Sequence, residues 1–345
     1  MRNLCITATL CVLSCPVSCL ADRLTPFALE FGSARQQLWV MLAERPDGGL
    51  SYANSLARQL ALDPDLASRP YLAGSDFSVT PILKLDRNVN SGIASDTVLI
   101  LGLPFLVNAE SRAVRALTAG AALNAGLSFG LAPGLTFAMS GRSEHRRALG
   151  RDMLVTRNTL TGTLGYTAQN WTYLSANFLL DQEERALATG KTATTALTVG
   201  KLFGNSDAFL QDVSLTVLQE AESTTGQRRL RGNWTGIFAD IGVVDISLEV
   251  GERLDGELVP VSAVSVAYSA FLIGAPTTLS ASYGRSEGGV FFGLERHDDR
   301  LVLKAEREIS RQVSINISYE VSDSSIDSFD VAGADFGINF TALEF

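Results

Sequence analysis

The feature that most constrains this chain is a two-residue hydrophobic period that returns in segment after segment. Val313, Ile315, Ile317, Tyr319 and Val321 alternate with Ser314, Asn316, Ser318 and Glu320. Val244, Ile246, Leu248 and Val250 alternate in the same way with Asp245, Ser247, Glu249 and Gly251. Successive side chains of a strand point to opposite faces, so each such segment reads as a strand with one apolar and one polar face. The pattern recurs at Phe77–Leu85, at Leu117–Leu123, at Leu135–Met139 and at Val213–Val217. One such strand suits a soluble sandwich; a long series asks for a continuous apolar belt, with lipid outside and water inside.

About fourteen strands are expected, near residues 77–86, 112–127, 133–144, 153–167, 171–183, 191–203, 208–220, 227–238, 241–252, 260–272, 277–286, 295–308, 312–322 and 331–345. Each has about ten residues or more, enough to cross a bilayer at a tilt. Their connections alternate in length. Short ones hold turn formers: Ala132-Pro133-Gly134, Gln169-Asn170, Asn205-Ser206-Asp207, Ala239-Asp240, Ala275-Pro276 and Ser310-Arg311. Longer polar stretches lie around 87–111, 145–152, 184–190, 221–226, 253–259, 287–294 and 323–330. Periplasmic turns and extracellular loops alternate in this way, and an even strand number returns both ends to the periplasm. Aromatic residues near strand ends (Trp171, Tyr173, Phe203, Phe209 and Phe238) suggest an interfacial girdle.

The fold expected is therefore an antiparallel outer-membrane β-barrel over residues 75–345. Residues 1–21 read as an export signal: Arg2, an apolar stretch too short to span a bilayer, then Cys19-Leu20-Ala21 at the cleavage site. Val12-Leu13-Ser14-Cys15 offers a rival, lipoprotein-type cleavage. All four cysteines fall in this leader, so the mature chain has no disulfide and no thiolate metal site. Residues 22–74 differ from the rest. Phe27, Phe31, Leu38, Met41 and Leu42, then Leu56, Leu60 and Leu62, follow helical spacing, which predicts two or three short helices in the periplasm or the barrel mouth. They read either as a simple lead-in or as a plug or partner-binding element.

The net charge of -9 argues against nucleic acid as a partner. Catalytic motifs are weak. Gly126-Leu127-Ser128-Phe129-Gly130 matches a nucleophile elbow but closes a strand ahead of a Pro-Gly turn. Gly190-Lys191-Thr192 lacks the upstream glycine of a phosphate loop. His145 and His297 fall in or beside outer loops, and no ligand cluster surrounds His297-Asp298-Asp299. No enzyme, metal or cofactor is expected. Lys84, Arg157, Arg231, Asp245, Glu249, Lys304, Glu306 and Glu320 fall in the polar phase and are expected to line a lumen of mixed sign. In the last strand Phe336, Ile338 and Phe340 share one phase, and Leu343 and Phe345 the other. A β-bulge near Thr341 reconciles them, and Leu343 with the terminal Phe345 resembles the signal read by the barrel assembly machinery.

The first strand ends in Ile82-Leu83-Lys84-Leu85-Asp86-Arg87-Asn88-Val89-Asn90-Ser91-Gly92. With its Asp-x-Asn-Val-Asn, this resembles the start of the barrel of surface lipoprotein assembly modifiers. The motif covers 82–92, and the topology covers 77–345. The resemblance implies a fourteen-stranded barrel that helps an exported lipoprotein reach the surface, with Asp86, Asn88, Val89 and Asn90 at the matching positions. The chain departs from that pattern, because residues 22–74 leave room for little more than one helical repeat. Asp86, Asn88 and Asn90 also suit side-chain turns that order the first outer loop. Outer-membrane lipids and the assembly machinery are the expected partners, with a lipoprotein client implied by the resemblance. A passive porin for small polar solutes and a structural or adhesive surface barrel acting through its outer loops are the alternative functions.

Overall fold

The structure, a computed structural model, describes residues 24–44, 50–63, 69–93, 95–100, 103–205, 208–222, 225–310, 312–340 and 343–344. The leader, Ser206, Asp207, Arg311, Thr341 and Phe345 lie outside the described residues.

Three helices come first: α1 (Thr25–Phe31), α2 (Ala34–Glu44) and α3 (Leu50–Gln59). Fourteen barrel strands follow: β1 (Tyr71–Asp86), β2 (Ala116–Ala132), β3 (Leu135–Ala148), β4 (Leu154–Thr167), β5 (Thr172–Arg185), β6 (Ala188–Asn205), β7 (Phe209–Glu222), β8 (Thr225–Phe238), β9 (Gly242–Gly251), β10 (Val259–Leu272), β11 (Ala275–Phe291), β12 (Leu294–Ser310), β13 (Val313–Ser324) and β14 (Val331–Phe340). Each strand pairs antiparallel with the next, and β14 returns to β1 through Ile82↔Asn339, Leu83↔Ile338 and Lys84↔Gly337. The wall is closed. Beyond Phe340 the register moves by one residue, so that Leu343 stands opposite Val79 and Glu344 opposite Ser78. That shift is the one-residue insertion the phase change of the last strand called for.

The pairing carries one side-chain phase around the whole wall. Leu123, Leu164, Leu197, Leu215, Leu248 and Ile317 point outward and are exposed, forming an apolar belt. The opposite phase holds Ser, Thr, Asn and charged residues and faces the interior. Closure lets every strand satisfy its backbone groups from its neighbours, which is what a spanning sheet in hydrocarbon requires.

Several expected boundaries move. β1 begins at Tyr71, not 77, because Tyr71 and Leu72 pair with Gly130 and Phe129 before a bulge at Gly74. β2 begins at Ala116, not 112, after a 3-10 turn at Ala109–Ser111. Much of the stretches expected as loops at 145–152, 184–190 and 287–294 is strand instead, with tight turns at Ala186-Leu187 and Phe292-Gly293. There both faces become polar: His145, Arg147, Glu184, Arg228 and Asp299 hold outward positions at the loop end. The strands therefore continue past the apolar belt. The outer stretch 87–111, expected to be polar, contains a small apolar hairpin, Thr97–Ile100 with Leu103–Leu106, set against Asp327–Phe329.

Replacing Leu248, exposed on the belt in mid-strand, with Arg is expected to cost about 2–4 kcal/mol of folding stability in a bilayer. Arg at the neighbouring inward Ser247 should cost little. Reversible denaturant titration in vesicles checks the contrast.

Candidate functional site

The interior has three zones, and the first lies where β1 meets its outer loop. Asp86 Oδ1 accepts the Asn88 backbone N–H at 3.0 Å, closing a side-chain turn. Asn88 accepts from the Gly92 N–H at 2.7 Å and donates to the Gly92 carbonyl at 2.8 Å. Asn90 accepts from the Val114 N–H at 2.9 Å and donates to the Arg112 carbonyl at 2.7 Å. Its own carbonyl accepts from Leu187 N–H, in the turn between β5 and β6. Val89 is fully buried against Ala148 and Val155, which hold inward positions of β3 and β4. The loop is thus folded inward over one side of the mouth. Asp86 anchors it, paired with Arg146 and Arg185, each at 3.3 Å.

The second zone is the wall. All eight charges expected in the lumen hold inward positions on the pairing ladder. The structure ties most of them into ion pairs. Arg157 meets Asp181 at 3.0 Å. Arg231 and Arg229 converge on Glu249 at 2.5 and 2.7 Å, and Arg229 also pairs with Glu220. Lys304 meets Glu306 at 2.8 Å. Glu320 receives Arg300 at 2.8 Å and Arg87 at 3.2 Å, and Arg87 also binds Asp335. Two of the eight differ. Asp245 has only the Thr235 hydroxyl, at 2.5 Å, and Lys84 is exposed with no carboxylate partner among the described residues.

The third zone is at the end with short turns, and here the inward face becomes apolar. Leu202, Leu210, Ile237 and Val243 are buried at inward positions, and Leu24, Ala28 and Val40 of the helical segment pack on them. Phe27 and Phe31 of α1 lie 5.7 and 5.6 Å from the ring of Phe271. Inside α2, Gln36 donates to Asp212 at 3.4 Å, and Asp212 accepts from the Tyr173 hydroxyl at 2.7 Å. The Arg35 guanidinium stands 3.8 Å over the Tyr173 ring. Gly200, the cross-strand neighbour of Tyr173, makes this possible, because a Cβ there would collide with the ring. Leu38 and Met41 face Ala53 and Leu56 of α3, and α3 is fixed to the wall by Tyr71 donating to the Arg58 carbonyl and Gly134 N–H donating to the Ala61 carbonyl, both at 2.7 Å. The helices thus reach from β1 and the turn between β2 and β3 across to β10 and fill the turn end as a plug. A cleft of about 910 Å³ remains between α2, α3 and the turns at Gly134 and Trp171.

Two aromatic assignments change as a result. Trp171 and Tyr173 pack on the helices rather than on lipid, because the inward phase at the turn end serves the plug. Phe203, Phe209 and Phe238 do hold outward positions there. Sequence reasoning missed Asp181, Arg146, Arg185, Asp212 and the plug contact at Tyr173. The phase of Asp181 and Arg146 marks them as inward, whereas nothing local marks Tyr173 as a plug residue. The Gly126–Gly130 motif lies within β2, and the bare face of Gly126 gives room to the Asp76 carboxylate. His145 contacts Ser143 at 3.1 Å on the outer face, and among the described residues no group of three His, Cys, Asp or Glu is placed to hold a metal ion.

No protein-family model and no curated protein matches the chain. Among solved structures it is similar to the Pseudomonas aeruginosa OccK9 (OpdG), with 10% identity and a TM-score of 0.43 over 79% of this chain and 98% of that one. OprD from the same organism gives 7% and 0.39 over 80% and 94%, and Acinetobacter baumannii OccAB3 gives 8% and 0.40 over 79% and 100%.

Asn90→Ala should leave the half-buried Val114 N–H and Arg112 carbonyl without the Asn90 side chain, loosening the inward loop by about 1 kcal/mol. Faster protease cleavage within 91–113, with the barrel's own melting unchanged, is the expected reading.

Proposed function

We propose that the chain is an outer-membrane, porin-like channel for small polar solutes, held shut at its turn end by its own amino-terminal helices. The carrying observation is the division of the inward face. Hydroxyl, amide and ion-paired side chains line most of it, and the apolar cluster of Leu202, Leu210, Ile237 and Val243 lies where the helices sit. Polar lining at inward positions is what a water-filled barrel tolerates, and inward Leu202, Leu210 and Ile237 are compatible with water only when covered. Fourteen strands also place the wall between barrels filled by side chains and wide porins, so a segment of three helices is a suitable size to close it.

Residence in a Gram-negative outer membrane, export on residues 1–21 and insertion by the barrel assembly machinery belong to the same proposal, supported by the apolar belt. The export function implied by the resemblance to lipoprotein assembly modifiers has weaker support. Asp86, Asn88 and Asn90 spend their side chains on the loop, and the helical segment turns Leu24, Ala28 and Val40 onto the wall and Leu38, Met41, Ala53 and Leu56 onto one another.

The test is single-channel recording of the full-length protein in planar bilayers, beside Gly200→Val, which takes away the seat of Tyr173. Long closures with brief openings are expected for the native protein, and an open fraction raised roughly tenfold in the variant, equivalent to about 1.4 kcal/mol less plug binding. Conductance that is steady in both would remove the plug from the proposal. Silence in both, together with no swelling of vesicles in small sugars, would overturn the channel itself.

A further inference from the structure

We infer that this conduit prefers cations to anions, and that the preference is set by three unpaired carboxylates, Asp76, Asp245 and Glu308. The inference rests on the channel reading above. Its starting point is the charge balance of the inward face. Each arginine described there is bound to a carboxylate, and across these pairs cations and carboxylates cancel one for one. Tied charges of opposite sign, a few ångströms apart, leave little net field on an ion passing at a distance. The arginines are the most conspicuous charges of the lumen, and they contribute least to its sign.

What remains after cancellation decides that sign. Asp212 faces Arg35 only while the plug is seated; once the plug leaves, Asp212 keeps the Tyr173 hydroxyl as its partner and adds to the same sign as the three. Asp76, Asp245 and Glu308 hold inward positions with no cation paired to them among the described residues, and Lys84 alone stands on the other side. The Thr235 hydroxyl orients Asp245 but is neutral and cancels nothing. Asp76 lies over the bare backbone of Gly126 and is exposed. With the plug seated, Glu30 of α1 is close enough to Glu308 for their charges to interact.

The three carboxylates are also grouped in depth. Asp245 is one inward position beyond Val243, which touches the plug, and Glu308 lies near the turn-end limit of β12. Asp76 lies in the turn-end half of β1. The paired arginines of β3, β4 and β5 occupy the loop-end half. An ion entering from the loop end therefore meets a hydrogen-bonding mouth of cancelled pairs, with Lys84 left over, and then a negative stretch toward the turn end. Fixed charge of one sign between low-dielectric walls enriches its counter-ions.

The experiment is the reversal potential of the full-length channel during its openings, under a KCl gradient. The native protein is expected to favour K⁺ over Cl⁻ by roughly two- to fivefold. Asp76→Asn and Asp245→Asn should each lower that ratio, and the combination with Glu308→Gln should lower it further. Lys84→Met should move it the other way, which separates a charge effect from general damage to the fold. Conduction with no preference or an anion preference in the native protein would overturn the inference and leave the channel reading standing. So would a ratio that the triple substitution does not change. Absence of conductance in every protein would overturn both.

Discussion

The rest of this structure depends on one constraint: a sheet placed in hydrocarbon must pair its last strand with its first. No water is available there to satisfy a backbone N–H or carbonyl, and an open edge would leave a whole row of them bare. The seam between β1 and β14 meets this requirement with a short ladder, a one-residue shift, and a second short ladder at Leu343 and Glu344. Once the wall closes, every strand has one face toward lipid and one toward the interior. The outward belt and inward polar lining follow from that geometry.

The interior then had two ends to manage, and the chain uses different chemistry at each. At the loop end, the asparagines at 88 and 90 replace water as partners for loop backbone, and Asp86 holds the base of the loop through two arginines. Charges this deeply covered are tolerable because each has an opposite neighbour; removing one member of such a pair is far more damaging than never having had it. At the turn end the chain uses apolar contact, with a single polar cluster, Arg35, Gln36, Tyr173 and Asp212, to fix the orientation of α2.

The barrel was readable from the chain because lipid enforces alternation. Val313–Val321 and Val244–Val250 read as strands with one apolar face, and fourteen strands are found in the order that the repeated pattern predicts. The strand ends were not readable. Beyond the apolar belt, water bathes both faces, so His145, Arg147 and Arg228 can hold outward positions and the period fades while the backbone ladder continues. The lumen was half readable: phase assigns Asp181, Glu249 or Glu320 to the inside, but which arginine each meets depends on register between strands. The plug left a trace that local reasoning passed over. In Thr198-Gly200-Leu202, in Asn233-Thr235-Ile237 and in Ser269-Phe271 the polar phase turns apolar just before the turn. A covering partner is the reason for each of these breaks, and that partner is distant in sequence.

The apolar ring under the helices has an energetic consequence. When the plug is seated, Leu202, Leu210, Ile237 and Val243 are almost wholly shielded from water; when it leaves, they and the apolar side of α1 and α2 become wet together. Each square ångström so exposed costs about 25 cal/mol, on both surfaces at once. On the channel reading proposed above, opening the pore requires work against that burial. On that reading the molecule is a self-closing valve, its return spring made largely of the reluctance of leucine and phenylalanine to face water and aimed by the contacts of Arg35 and Gln36.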